Sequence, residues 1–184
     1  MKKIVLMLFV LITIMAYAKG DKMEHSQTVI LGGGCFWCLE AVFEDVKGVT
    51  KVESGYAGGM GENPTYEQVS TGKTGYAEVV KVTFDDRIVT LEKLLNIFFA
   101  IHDPTSLNQQ GNDVGTQYRS VIFYTNNTQK EIAQKVMQEE APKFSKPIVT
   151  ELASAPVFYK AEAYHQDYFK KNPYQGYCVY VVKP

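Results

Sequence analysis

Residues 28–44 read T-V-I-L-G-G-G-C-F-W-C-L-E-A-V-F-E and set the architecture of this 184-residue chain. Residues 28–31 are apolar and β-prone, which predicts a buried strand. Three consecutive glycines, residues 32–34, predict a tight turn. Residues 39–44 carry helical periodicity, so we expect a helix to begin near Cys35.

Cys35 therefore stands at a predicted helix N-terminus, followed by two large aromatics, Phe36 and Trp37. Unpaired N–H groups and the positive end of the helix dipole favour an anion there. This position predicts a nucleophilic cysteine whose pKa lies below that of an ordinary thiol. Two other interpretations of Cys35 and Cys38 stay open, as buried core thiols or as half of a zinc site. Zinc is the weaker one, because no second C-x-x-C or H-x-x-x-H pair is present to complete four ligands.

The first 18 residues have the features of a secretory signal peptide. Lys2 and Lys3 provide a positive start, residues 4–15 are almost unbroken apolar sequence, and Ala16-Tyr17-Ala18 has the small-x-small form of a cleavage site. The apolar run is short for a membrane span, and an uncleaved anchor is the alternative. We therefore predict export to the periplasm or another extracytoplasmic compartment, with residues 19–184 as one domain.

Charge and cysteine content narrow the function classes. The formal net charge of −1 gives no electrostatic case for binding nucleic acid or an acidic membrane surface. Three cysteines, at positions 35, 38 and 178, are an odd number for an exported chain. One pair can be oxidised while one thiol stays free, or all three can take turns. This count suits redox chemistry better than structural disulfides, since a domain of this size folds without them.

The remaining pattern mixes strands and helices without strict β-α-β alternation. Strands are predicted at residues 28–31, 48–57, 77–84, 118–124 and 148–152. Helices are predicted from Cys35, as a short turn near Tyr66, and at residues 91–101, 127–140 and 162–170. Thr90 should cap the helix at 91–101, whose expected buried face is Leu94, Leu95, Ile97, Phe98 and Ile101. Residues 102–118 form a long loop, which predicts function there. The predicted class is α+β, a mixed α/β roll forming one two-layer domain around one mixed sheet.

Four segments together resemble one family. They are G-C-F-W-C at 34–38, N-P-T-Y at 63–66, G-Y-A-E at 75–78 and Q-G-N-D-V-G-T-Q-Y-R-S at 110–120, and H-D-P at 102–104 and G-Y-C at 176–178 fit as well. In this order they resemble the A-type peptide methionine sulfoxide reductases over essentially all of residues 19–184. The resemblance implies reduction of the S epimer of methionine sulfoxide, free or in oxidised proteins, by a catalytic domain at 19–184.

The resemblance makes Cys35 the nucleophile that attacks the sulfoxide sulfur, with Phe36 and Trp37 walling a pocket for the methyl group. Cys178 occupies the late resolving position. This chain departs from most of the family at Cys38, where glycine is usual, so either Cys38 or Cys178 can resolve the sulfenic acid. On a regular helix, Cβ atoms three residues apart lie about 5–6 Å from each other, which is too far for a disulfide. We therefore expect Cys178 to react first and Cys38 to attack the resulting bond.

The same resemblance makes Glu78 the acid that protonates the sulfoxide oxygen, Tyr66 and Tyr118 donors to that oxygen, and Asp113 a support for the network. A carboxyl group enclosed by aromatics keeps its proton near neutral pH, which suits this step. The pattern alone favours an exposed strand residue for Glu78 and packing residues for the two tyrosines, and Asp113 can cap its loop.

The resemblance implies no metal and no organic cofactor, a thioredoxin-like protein as electron donor and a monomeric enzyme. We interpret His102 and His165 as structural. Two other functions stay open: thioredoxin-like disulfide exchange through the C-x-x-C, and a secreted module that binds peptides through its aromatics. Thioredoxin-like exchange leaves Glu78, Asp113 and the long loop without a role.

Overall fold

A six-stranded mixed sheet forms the centre of the fold, in a computed structural model that describes residues 25–173. The strand order is β7-β6-β1-β3-β2-β8, in which β6 and β7 run parallel and the other neighbours run antiparallel. A separate two-stranded hairpin joins β4 to β5. The strands are β1 (Ser26–Gly32), β2 (Val49–Ala57), β3 (Ala77–Asp85), β4 (Gln109–Gln110), β5 (Asp113–Val114), β6 (Val121–Tyr124), β7 (Glu151–Ser154) and β8 (Tyr159–Lys160).

The main core lies between one face of this sheet and the longer helices. Residues such as Leu39, Leu95 and Val136 pack there against Val80 and Val82 of β3. The helices are α1 (Phe36–Glu44), α2 (Tyr66–Ser70), α3 (Leu91–Ile101), α4 (Asn127–Glu140) and α5 (Tyr168–Lys171), with 3-10 turns at Thr116–Tyr118 and Ala141–Lys143.

A smaller apolar cluster lies on the opposite face. Val79 and Phe123 belong to it, with Phe158 packed against them. The predicted α+β class and single mixed sheet are thereby confirmed. None of the helices within residues 25–173 has the length and apolar character needed to cross a membrane.

Several helices and strands lie at the residues that the sequence predicts. Helices α3 and α4 have the predicted bounds, and the Thr90 hydroxyl accepts a hydrogen bond from the Lys93 N–H at 3.2 Å, as a cap should. On α3, however, Phe99 and Leu91 are buried while Ile97 and Ile101 are only partly buried. The predicted signal peptide, residues 1–18, and Cys178 lie outside the described residues.

The C-terminal third departs most from prediction. The strand expected at 148–152 is Glu151–Ser154, the strand expected at 118–124 begins only at Val121, and β8 was not predicted. The helix expected at 162–170 is reduced to α5, because residues 163–167 form turns. Side chains in this stretch bond to other elements instead: Gln166, for example, bridges the backbone N–H and C=O of Ser54.

Candidate active site

Cys35 caps the N-terminus of α1. Its backbone is extended, with φ −63° and ψ 124°, and its carbonyl accepts the Cys38 N–H at 3.1 Å. Gly34 before it has φ +87°, and a Cβ there would lie 2.6 Å from Cγ of Gln110. Only glycine suits this position, because the backbone is left-handed and the β4–β5 hairpin packs directly against it. The Gly34 N–H also donates to the Tyr118 carbonyl at 3.2 Å, which ties the glycine turn before Cys35 to the 3-10 turn that follows the hairpin.

A cavity of about 140 Å³ opens beside the Cys35 thiol. All seven residues for which the resemblance implied a catalytic or substrate-binding role line it, although they come from four separate segments of the chain. They are Cys35, Phe36, Trp37, Tyr66, Glu78, Asp113 and Tyr118. Cys38 does not line this cavity. Its thiol instead contacts Cys35 from within the first turn of α1.

Glu78 is the buried acid of the site. It is the second residue of β3, its exposed fraction is 2 %, and its carboxyl group accepts the Phe36 N–H at 3.2 Å. Burial raises the pKa of Glu78 to about 8, and the nearby charge of Asp113 adds to this, while the Phe36 N–H opposes it. The possibility that Glu78 is an exposed strand residue is therefore excluded, and at neutral pH the group is a proton donor.

The pKa of Cys35 is raised, not lowered as its place at a helix N-terminus predicts. The largest cause is the hydrogen bond of its thiol to Cys38, followed by burial and by the negative charge that Glu78 carries above its own pKa of about 8. The Trp37 backbone N–H lowers the pKa of Cys35, as expected at a helix start, but its contribution is the smallest. The prediction was wrong because it considered the helix and not the buried acid and second thiol around it. In the resting site Cys35 is a protonated thiol.

Two phenols face the same cavity. Tyr66 is the first residue of α2, whose start is fixed by a capping box between Thr65 and Gln68. Tyr118 ends the 3-10 turn Thr116–Tyr118. Burial, together with the Glu78 charge, raises the pKa of both phenols. Both hydroxyl groups therefore keep their protons and can donate hydrogen bonds.

Residues near the C-terminal end of the described chain hold Trp37, which forms part of the apolar wall of the cavity. The Trp37 indole N–H donates to Nδ1 of His165 at 3.0 Å, and the indole stacks on Tyr168 with ring centres 3.6 Å apart. His165 is buried and its ring also packs against Phe36 and Tyr66. His165 is thus structural, as interpreted from sequence, and its ring fixes the orientation of the Trp37 indole.

Sequence reasoning missed Tyr56, Glu162 and Tyr168, which contact the pocket residues from behind. The Tyr56 hydroxyl donates to Glu162 at 2.9 Å, and the Tyr56 ring packs on Phe36 with centres 5.8 Å apart. Glu162 and Tyr168 are distant in sequence from the residues they contact, so no local sequence pattern predicts these contacts. The tryptophan of the G-C-F-W-C motif offered one clue, since an indole N–H that is buried usually has a hydrogen-bond acceptor.

His102 lies below the glycine turn in a buried polar chain. Its Nδ1 lies 2.6 Å from the Phe98 carbonyl oxygen, its Nε2 lies 2.8 Å from Oγ of Ser120, and that hydroxyl lies 2.8 Å from Oγ1 of Thr150. A carbonyl only accepts, so Nδ1 carries the proton and Nε2 accepts from Ser120. Burial lowers the pKa of His102 to about 4. The ring is thus neutral and structural, as expected.

This neutral histidine predicts acid sensitivity. Unfolded His102 takes up a proton below its ordinary pKa of 6.5, whereas the folded ring resists protonation down to about pH 4. Its contribution to the free energy of unfolding is therefore complete above pH 6.5 and is lost as the pH falls to 4. That loss is about 3 kcal/mol. Urea unfolding of wild type and His102→Gln between pH 7 and 4 should show a steeper fall for wild type.

The matched control is His25→Gln, because His25 pairs with Asp86 at the surface, away from this network. Parallel pH profiles for wild type and His102→Gln would contradict the assignment.

Fold and site together define a class: a thiol-dependent oxidoreductase with an acid and two phenols opposite an apolar wall. Within residues 25–173, no group of three or more His, Cys, Asp or Glu side chains is arranged to hold a metal ion. Residues 27–184 match the family described as peptide methionine sulfoxide reductase. The chain belongs to that family.

Curated relatives and solved structures agree with this assignment. The chain is 60 % identical to the peptide methionine sulfoxide reductase MsrA of a Nitratiruptor species over 86 % of its length and 91 % of that protein. It is 57 % identical to MsrA of Trichodesmium erythraeum, covering 85 % of this chain and 90 % of that one.

Among solved structures, methionine sulfoxide reductase A of Corynebacterium diphtheriae matches with a TM-score of 0.78 and 37 % identity over 81 % of this chain and 76 % of that one. Mxr1 from Saccharomyces cerevisiae in complex with Trx2 matches with a TM-score of 0.58 and 25 % identity over 79 % of this chain and 86 % of that one.

Proposed function

We propose that this protein reduces the S epimer of methionine sulfoxide, free or within oxidised proteins, to methionine. The observation that carries the proposal is the cavity into which the Cys35 thiol, the protonated Glu78, two phenols and the Phe36–Trp37 wall converge. A sulfoxide has a polarised S–O bond beside a methyl group. The cavity offers a soft nucleophile for the sulfur, acid hydrogens for the oxygen and apolar surface for the methyl group.

The first step transfers the oxygen atom to Cys35. The Cys35 sulfur attacks the sulfoxide sulfur while Glu78 gives its proton to the oxygen, and the Glu78 carboxylate then takes the proton that leaves the thiol. The hydroxyl then passes from the methionine sulfur to the Cys35 sulfur as the new S–S bond breaks. Methionine departs, Cys35 becomes a sulfenic acid and Glu78 ends as it began. Tyr66 and Tyr118 hold the oxygen during this transfer.

A second thiol then displaces water from the sulfenic acid and forms a disulfide. We propose Cys38 as the first partner, because its thiol already contacts Cys35. The separation of about 5–6 Å applies to two residues within a regular helix, whereas Cys35 is the capping residue and has an extended backbone. Cys178 then serves as a relay between that disulfide and the reductant, the reverse of the order expected from sequence.

A thioredoxin-type protein supplies the electrons, since a dithiol is needed to reduce the disulfide and the related Mxr1 has been crystallised with Trx2. We further propose that the enzyme is monomeric and works outside the cytoplasm. The support for export is the signal-like sequence of residues 1–18, which precedes the matched region 27–184. Release of a protein beginning at residue 19 into the extracytoplasmic fraction would test this.

The cavity predicts stereospecific turnover. With the methyl group against Phe36 and Trp37 and the oxygen toward Tyr66, Glu78 and Tyr118, the remaining arm of one epimer points out of the pocket and that of the other points into its wall. Purified protein with excess dithiothreitol should therefore consume half of an equimolar mixture of the two methionine sulfoxide epimers and stop. Chiral chromatography of the remainder should show the R epimer. Equal consumption of both epimers would refute this placement of the substrate.

A further inference from the structure

The Glu162 carboxylate lies behind the pocket and accepts one hydrogen bond from each of two residues that hold the pocket's walls. Its Oε1 accepts the Tyr66 backbone N–H at 2.9 Å, and its Oε2 accepts the Tyr56 hydroxyl at 2.9 Å. Both donors bond to an ionised carboxylate, which makes these bonds stronger than bonds between neutral groups. These donors lower the pKa of Glu162 against the opposing effect of its burial, so it stays ionised.

On the oxygen side, Glu162 fixes where Tyr66 stands. Helix α2 has five residues, too few for a helix to hold its own position, and Tyr66 is the first of them. The Tyr66 N–H, at the start of α2, has no partner within the helix, and it donates instead to Glu162, 96 residues away in sequence. The Tyr66 backbone, which carries the phenol, is thereby tied to Glu162, just before the turn at residues 163–167.

On the methyl side, Glu162 acts through Tyr56 and His165. The Tyr56 ring supports Phe36, and His165 accepts the Trp37 indole N–H on Nδ1. Because Nδ1 accepts, the ring proton is on Nε2, which lies 3.8 Å from Oε2 of Glu162. This is longer than a hydrogen bond, and Nε2 is buried with no hydrogen-bond partner among the described residues. The negative charge beside it favours the tautomer that Trp37 requires.

We propose that Glu162 is a positioning residue that sets the distance between the oxygen-binding phenol and the methyl-binding indole. The inference rests on the proposed function, since both walls matter only for a sulfoxide between them. Glu162 is not among the residues that line the cavity. It acts through Tyr66 on the oxygen and through His165 on Trp37.

The test is Glu162→Gln, which keeps the side-chain shape but turns an amide NH₂ toward one of the two donors. We expect the single-turnover rate of methionine release at saturating sulfoxide to fall about tenfold, the scale of one lost charge-assisted bond. In a Tyr66→Phe background the same change should cost less than about threefold, because the hydroxyl that Glu162 positions is already absent. Trp37 is the one tryptophan of the chain, so its emission reports on the other wall. That emission should shift in Glu162→Gln with or without the Tyr66 hydroxyl.

Glu53→Gln is the matched control. Glu53 lies on β2, as Tyr56 does, but on the opposite sheet face, where it pairs with Lys51, Lys81 and Lys160. The control should lose stability and leave rate and emission unchanged. If wild type fails to reduce sulfoxide at all, the proposed function falls. If wild type is active but Glu162→Gln matches it, or if the effects of Glu162→Gln and Tyr66→Phe multiply independently, the positioning role is overturned.

Discussion

Cys35→Ser is expected to abolish methionine release altogether, while Cys38→Ser should still release one methionine per protein in a single turnover. A hydroxyl is a far weaker nucleophile toward sulfur than a thiol, and nothing else in the described cavity can take the oxygen. Cys38 takes part only after methionine has left, so its loss should slow disulfide formation and not the first step. Rapid-quench chromatography without reductant counts the methionine.

Peptide mapping of the same samples, oxidised and not reduced, identifies the disulfide. Wild type should first show Cys35 joined to Cys38, and Cys178→Ser should close that bond at the wild-type rate. If Cys178→Ser instead stalls as a sulfenic acid, Cys178 is the direct partner and Cys38 is the relay.

Glu78→Gln is expected to slow the first step by roughly 10²-fold or more, the usual scale for a lost general acid. Because the pKa of Glu78 is about 8, the wild-type single-turnover rate should also fall as the pH rises through 8, and this fall should be absent from the variant. Methionine release measured from pH 6 to 10 tests both points. Glu140→Gln, at another buried glutamate that does not line the cavity, is the control.

Glu78→Gln should also stabilise the protein at high pH. Unfolded Glu78 loses its proton near its ordinary pKa of 4.5, whereas the folded group holds it to about 8. Folding is therefore disfavoured by this group as the pH rises from 4.5 to 8, and the penalty is complete above that. Urea unfolding at pH 9 should show Glu78→Gln to be the more stable protein. An unchanged rate and an unchanged stability would together remove Glu78 from its assigned role.

The sequence was sufficient wherever local chemistry decides the structure. Residues 28–44 predict strand, turn and helix because apolar periodicity and glycine freedom act over a few residues. Thr90 and the helix after it follow from a cap and an amphipathic face. The residues around the thiol could be named because the four motifs resemble one family, and their meeting in one cavity was visible only in the fold.

The failures share a cause, which is interaction between distant segments. The pKa of Cys35 depends on Glu78, 43 positions away, and the turn at 163–167 replaces a predicted helix because its side chains bond to β2 and α1. Helical propensity in that stretch is worth a few tenths of a kcal/mol per residue. Buried and charge-assisted hydrogen bonds such as those of Gln166, Glu162 and His165 outweigh it.

The span of the pocket along the chain has a consequence for biosynthesis. Its first residue is Cys35, and the groups that hold its indole wall, His165 and Tyr168, are among the last described. Contacts of such long sequence separation form late in folding, after the intervening loops have closed. A nascent or still unfolded chain therefore carries its two neighbouring thiols, Cys35 and Cys38, well before it has a pocket to restrict what they react with. The completed C-terminal stretch converts a general dithiol into a selective one.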